Sequence, residues 1–310
     1  MSGDFIPVFS GGTGRSGTTV IANALHRHPD FHSSMPREIR YLTDRAGLLD
    51  LNFGRPLAFE STAKELRNRL LLNTYLLFGK SKKEIFKKRM HQQWWSQMGK
   101  SGNPRGLVQA ISLDQLDVAL DNFDRMSSKD FLTASQNLFF DLSRAQLKGK
   151  TLRYFADSTP LNIQSADRIS ALLPGSLFIN MVRDGRDVAL SVSKEKWGPN
   201  TPEAALEWWK GRIEKSFLAL KKIPQENHIT IRLEDFIVRD REATYAKVLH
   251  FLQLPENEKL RKYYEEFLTQ EKMSQGNWKT GVKNPTAFHR RYVKILDELL
   301  AQGIEIKQYY

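Results

Sequence analysis

FIPVFSGGTGRSGTTVIANALHRHPDFHSSMPREIRY, residues 5–41, is the stretch whose reading decides the fold. It opens on Phe5, Ile6, Val8 and Phe9 around Pro7, a short apolar run closed by glycines. Such a run predicts a buried strand of a parallel sheet. Gly11, Gly12, Gly14 and Gly17 follow, with Thr13, Arg15, Ser16, Thr18 and Thr19 among them. Val20, Ile21, Ala24 and Leu25 then fall at helical spacing. Strand, glycine-rich turn and helix in that order leave backbone N–H groups pointing outward at a helix N-terminus. Those donors and the helix dipole together favour a phosphate or sulfate group. Glycine lets the backbone approach an anion with no Cβ in the way. An ordinary strand-to-helix turn would need neither the hydroxyls nor the arginine.

Working outward, strand and helix alternate again from Thr151. Strands are expected at Leu152–Ala156, Leu177–Val182 and Ile229–Leu233. Helices are expected at Ile163–Leu173, Arg186–Trp197, Pro202–Lys222, Glu242–Leu252 and Pro285–Gln302. Strands separated by helices predict a parallel sheet covered on both faces. Residues 46–150 instead read as helical, with no convincing strand. Thr62–Phe78, Lys80–Trp95, Asp114–Arg125 and Ser128–Leu147 are its helices, and Gly99–Gly106 is a loop. The expectation is one α/β domain over 1–310, a P-loop-like parallel sheet flanked by helices, with a helical insertion at 46–150 that forms the acceptor-binding region.

Gly12–Thr19 has the spacing of the nucleoside triphosphate loop GxxxxGK[ST], but Thr18 stands where the lysine belongs and the cation is Arg15. GRSGTT (Gly14–Thr19) followed by HPDF (His28–Phe31) resembles the phosphosulfate loop of sulfotransferases that use 3′-phosphoadenosine 5′-phosphosulfate (PAPS). The arginine form is similar to that of tyrosylprotein, heparan sulfate and bacterial members. LFINMVRDGRDVALS (Leu177–Ser191) supplies a second, independent match: a buried strand, Arg183 at its end, a polar turn, and a helix carrying Ser191. It resembles the 3′-phosphate motif of the same family. The resemblance implies that Gly14, Arg15, Ser16, Gly17, Thr18, Thr19, Arg183 and Ser191 bind PAPS, with 3′-phosphoadenosine 5′-phosphate (PAP) as product. QGNWK (Gln275–Lys279) is similar to the segment that closes over the cofactor, which makes Lys279 a candidate phosphate contact. EWWKGRI (Glu207–Ile213) and ITIRLEDF (Ile229–Phe236) also resemble family segments, although Leu233 stands where many relatives have an adenine-stacking tyrosine.

Sulfuryl transfer needs a base within hydrogen-bond reach of the acceptor hydroxyl. No histidine of this chain sits in the context that the histidine-using members show, and His28 before Pro29 reads as a packing or capping residue. PREIRYL (Pro36–Leu42) resembles the glutamate segment of heparan sulfate and tyrosylprotein sulfotransferases, which makes Glu38 the expected base. Arg37, Arg40 and Arg45 nearby are expected to keep it ionised. ADSTP (Ala156–Pro160) matches a segment where relatives carry a lysine at the Ser158 position. Arg15 is then left to neutralise the transferring group, and Asp157 to orient an acceptor hydroxyl or a basic side chain.

The 310 residues carry 47 Lys and Arg against 35 Asp and Glu, so the formal charge is +12 and an anionic partner is expected. No cysteine is present, which removes disulfides, thiolate metal sites and cysteine nucleophiles. No clustered ligand set points to a metal. No apolar stretch reaches membrane-spanning length and no signal peptide is visible, so a cytoplasmic enzyme with no membrane span is expected. Its partner would be a hydroxyl-bearing acceptor, with anionic compounds and glycans among the candidates, and no nucleic acid. Two other readings compete: a P-loop kinase acting on a small molecule, and a basic module binding glycan or nucleic acid through Lys80–Arg89 beside Trp94 and Trp95.

Overall fold

The structure is a computed structural model that describes residues 5–54, 81–99 and 102–308. Its strands are β1 (Ile6–Gly12), β2 (Phe31–Ser33), β3 (Gln97–Met98), β4 (Pro104–Arg105), β5 (Tyr154–Asp157), β6 (Leu177–Val182) and β7 (His228–Arg232). Five of them form one sheet in the order β2-β5-β1-β6-β7. β2 pairs parallel with β5, Phe31 opposite Tyr154, and β6 pairs parallel with β7, Phe178 opposite His228. β5 is buried along its whole length and β6 is buried after Leu177, as expected of strands covered on both faces. The α/β class expected from the sequence is the one found.

The chain clusters into two compact units, Met1–Val8 with Pro29–Thr159 and Arg168–Ser176, and Phe9–His28 with Pro160–Asp167 and Leu177–Tyr310. In the first, helices Leu113–Ser127 and Phe131–Leu147 pack along one another and bury Leu116, Leu120, Phe123, Leu138, Phe139 and Leu142. Ser112 and Gln115 close a capping box at the start of the earlier helix. The later helix is capped by Asp130, whose carboxylate accepts from Thr133 N–H. The start expected at Ser128 therefore moves, and Ser128 instead ends the preceding helix. Helix Lys82–His91 has its own capping box, Ser81 with Glu84. One correction concerns the loop expected at Gly99–Gly106: β3 and β4 form a short antiparallel hairpin there, so this stretch is not wholly helix and loop. The expected helix Thr62–Phe78 lies outside the described residues.

In the second unit, helices Gly185–Val192, Pro202–Leu220 and Pro285–Leu300 share a core of Val188, Leu206, Trp209, Ile213, Tyr292 and Ile295. Thr201 and Asn284 cap the two proline-initiated helices, each accepting from a backbone N–H three residues on. The helix expected to run to Trp197 stops at Val192, because Val192, Glu195 and Gly198 fold into successive turns. Glu258–Phe267 is a further helix that apolar periodicity did not reveal. Only Leu260 and Tyr264 of it are buried, too sparse a stripe to stand out.

Candidate active site

β1 ends at Gly12 and the chain turns through a run of left-handed residues, with φ 82° at Gly14, 58° at Arg15 and 96° at Gly17. Gly17 is the residue preceding helix Thr18–Leu25. A Cβ there would lie 2.6 Å from Leu233 Cδ1, so this position needs glycine both for its φ and for its packing. Leu233 is thus the apolar floor of the loop. Arg15 has no such exemption, and a non-glycine residue in this region costs roughly 1–2 kcal/mol. Strain of this kind gathers at functional sites. Ser16 is fully buried and its Oγ has no hydrogen-bond partner among the described residues. Thr18 is buried and Thr19 exposed.

The Arg15 side chain, 51 % exposed, does not point away into solvent. Its Nε donates to Ser191 Oγ at 2.8 Å, and its Nη1 lies 3.9 Å from the Glu195 carboxylate. Arg183 follows directly on β6 and spans two loops. Its Nη1 donates to the Arg15 carbonyl at 3.1 Å and its Nη2 to the Ser274 carbonyl, while its Nε is buried with no partner among the described residues. Asp187 Oδ2 accepts from Gly276 N–H at 2.9 Å, which ties segment 274–276 to the helix that bears Ser191. Lys279 is exposed, one residue beyond the buried Trp278. Two guanidiniums and a hydroxyl thus gather beyond the ends of β1 and β6. The partnerless Arg183 Nε and Ser16 Oγ are donors of the kind that phosphate oxygens satisfy.

Behind Arg183 lies a buried network that the sequence did not single out. Arg186 is fully buried and forks onto Asp184, Nε to Oδ1 at 3.0 Å and Nη2 to Oδ2 at 2.6 Å. It stacks on Trp278 and Tyr292 and meets His289 Nδ1 at 2.9 Å. Glu234 Oε1 accepts from Asp184 N–H at 2.8 Å. Charged residues inside the apolar frames of RDGRDV and ITIRLEDF were the available signal. Burial, with the neighbouring Asp184 charge adding to it, pushes the Glu234 carboxyl up to about 7, against the opposing pull of its backbone hydrogen bonds and of Arg183. The folded state therefore binds this proton more tightly than the unfolded chain does. Its contribution is fully present below the unfolded value of 4.5 and is lost as pH rises toward 7, on the order of 3 kcal/mol. Glu234→Gln keeps an acceptor for Asp184 N–H and should flatten the fall in Tm between about pH 5 and pH 7.5, read by thermal scans in matched buffers. An unchanged slope would show that Glu234 does not carry this proton.

In the first unit, the segment that presents Glu38 is held by its backbone on both sides. Ser158 N–H and Ser158 Oγ both donate to the Arg37 carbonyl, at 2.9 and 3.0 Å. Asp157 Oδ1 accepts from Ile39 N–H at 2.9 Å and from Thr159 Oγ at 2.9 Å. Asp157 is 1 % exposed, and its observed partners belong to the chain's own loops. The Glu38 side chain is 50 % exposed, with Arg40 Nε 3.9 Å from Oε2. The surrounding protein mass pushes its carboxyl above the ordinary glutamate value, outweighing Arg40 and Arg105. The arginines expected to keep it ionised act in the opposite direction to this burial. His28 is buried with Nε2 3.2 Å from the Pro255 carbonyl, the packing role expected of it. Among the described residues no cluster of His, Asp and Glu could hold a metal, and no helix is long and apolar enough to cross a membrane.

The sequence profile of the sulfotransferase family matches residues 7–258. The chain is a member of the sulfotransferase family. Two solved structures share its fold. The sulfotransferase domain from the curacin biosynthetic pathway is 16 % identical, with a TM-score of 0.50 over 98 % of this chain and 93 % of that one. The sulfotransferase domain from the olefin synthase of Synechococcus PCC 7002 is 15 % identical, with a TM-score of 0.50 over 97 % and 95 %. No curated protein sequence matches the chain significantly. This sulfotransferase keeps the glycine loop and the Arg183–Ser191 pair inside the matched span, whereas Lys279 lies beyond it.

Proposed function

We propose that this sulfotransferase uses PAPS and moves its sulfuryl group to an acceptor hydroxyl by in-line transfer. The observation that carries the reading is the gathering of Arg15, Arg183 and Ser191 beyond β1 and β6, with Arg183 Nε left partnerless. When bound, PAPS supplies an activated sulfuryl group and leaves as PAP. Arg183 and Ser191 hold the 3′-phosphate. The amides of Gly14–Thr19 and the Arg15 guanidinium hold the 5′ end and neutralise the negative charge that grows on the oxygen leaving sulfur. Lys279 adds a phosphate contact from the C-terminal side. Glu38 takes the proton of the acceptor hydroxyl, and its raised pKa makes it a stronger base than an ordinary glutamate. Asp157 and Ser158 set the angle at which Glu38 is presented, through the backbone of Arg37 and Ile39. The acceptor-binding region falls in residues 46–150, and the enzyme works in the cytoplasm without a metal.

Replacement of Arg183 by alanine tests the cofactor reading directly. It removes a charge-assisted hydrogen-bond donor, so PAP binding should weaken by about 1.5–3 kcal/mol in calorimetry, with far-UV circular dichroism unchanged. Wild-type affinity in a folded Arg183→Ala protein would take Arg183 out of the site. Tight magnesium-dependent ATP binding together with indifference to PAP would favour a kinase instead.

A further inference from the structure

We propose that Leu233 and Glu234 are positioning residues that set the span of the cofactor site, holding the glycine loop and the Arg183–Ser191 segment at the separation of the two phosphate-bearing ends of one nucleotide. This inference rests on the reading of PAPS and PAP as the ligands.

The sheet brings three strand ends together, because β6 lies between β1 and β7. Val182 stands opposite Arg232 in the β6–β7 register. Arg183 and Leu233, the next residues of the two strands, therefore leave the sheet as neighbours. Leu233 packs on Gly17 of the loop after β1, so closely that a Cβ on Gly17 would lie 2.6 Å from Leu233 Cδ1. Glu234 is 1 % exposed, and its Oε1 accepts from Asp184 N–H at 2.8 Å, one residue past Arg183. Two adjacent residues thus grip two different loops. Asp184 in turn caps helix Gly185–Val192, which carries Ser191, its carboxylate accepting from Arg186 N–H at 2.9 Å. The grip has a fixed base. Tyr264 Oη donates to the Phe236 carbonyl at 2.8 Å and Arg241 Nη1 to the Ile237 carbonyl at 2.6 Å, which anchors the short helix Leu233–Ile237. All of these residues belong to one compact unit.

Ordinary packing accounts for Leu233 but not for Glu234. A buried carboxyl group loses its hydration, and an apolar side chain would avoid that cost. Among the described residues no cation pairs with Glu234, and the buried Arg186 is forked onto Asp184. What the Glu234 carboxyl holds is the backbone of the turn between Arg183 and Ser191. Two phosphate subsites reward a ligand that fills both only when their separation is fixed beforehand, since any freedom in the span must be lost on binding. A ligand with a single phosphate does not sense the span.

Calorimetry with three ligands tests this: PAP, adenosine 3′-monophosphate and adenosine 5′-monophosphate, the last two each carrying one of the phosphates of PAP. Glu234→Met keeps the length of the side chain and removes the acceptor, whereas Glu234→Gln keeps the acceptor. The methionine variant should lose about tenfold in PAP affinity, as expected when a buried donor is left unpaired, and about twofold or less for either monophosphate. The glutamine variant should bind PAP within about twofold of the wild type. Equal losses for all three ligands would mark a general loss of packing and overturn the proposal. Unchanged PAP affinity in Glu234→Met, or a glutamine variant as weak as the methionine one, would overturn it too. Leu233→Val covers the case in which Glu234→Met does not fold. It trims one methylene from the contact on Gly17 and should weaken PAP about threefold with the monophosphates unaffected. Without that difference the proposal falls. A wild-type protein that binds PAP no more tightly than the monophosphates would remove the cofactor reading and this inference together, whereas failure confined to the variants leaves the cofactor reading in place.

Discussion

Glu38→Gln should cut turnover by about 10²–10⁴, the usual worth of a general base, while PAP affinity in calorimetry stays near the wild-type value. Glutamine keeps the shape of the side chain and an oxygen acceptor but cannot take a proton. The neighbouring hydrogen bonds run through the backbone of Arg37 and Ile39, so they survive the substitution. The pH profile supplies a second readout. A base works only when ionised, so the wild-type rate should fall as pH drops through the Glu38 pKa. Because burial raises that pKa, the limb should lie above the range of an ordinary glutamate. Glu38→Gln should lose the limb altogether. Turnover close to wild type in the variant would dismiss Glu38. Asp157 already serves Ile39 and Thr159, and His91 already serves Asp117, so neither is an uncommitted replacement.

Arg15→Ala should lower kcat by about 10²–10³, as removal of one preorganised charge-stabilising donor does elsewhere. PAP affinity should fall by much less. The split matters because the structure shows the Arg15 headgroup on Ser191, a residue proposed to hold the 3′-phosphate. If Arg15 stayed there in the working complex, affinity and kcat would fall together, and affinity would fall more. Single-turnover kinetics beside calorimetry separates the two outcomes. Arg15→Lys should recover part of the rate, because a point charge replaces the forked donor without its geometry.

The sheet was legible because its central strands are buried on both faces. FIPVF is apolar throughout and LFINMV is broken only by Asn180, and a glycine loop or a DGRD turn marks where each one ends. β2 was not legible: three residues, two of them His32 and Ser33, form a strand only because β5 lies alongside. The hairpin of β3 and β4 is equally a product of its surroundings, with both strands only two residues long. The residues proposed to bind the anion could be named from sequence because their chemistry is local, a loop and a strand end. Asp157 and Ser158 could be singled out in sequence, but the backbone groups they grip could not, since those lie more than a hundred residues away in sequence. The direction of the Glu38 pKa escaped for a related reason. Sequence shows the arginines beside it, whereas the opposing burial comes from packing.

The left-handed backbone at Arg15 has a consequence for anyone who would improve this protein's stability. Glycine adopts that conformation without penalty, so Arg15→Gly would relieve the strain and give a sturdier molecule. A redesign guided by thermal tolerance alone would choose that change early, and would thereby delete the cation proposed to support turnover. Selection for catalysis and selection for durability pull this one residue in opposite directions.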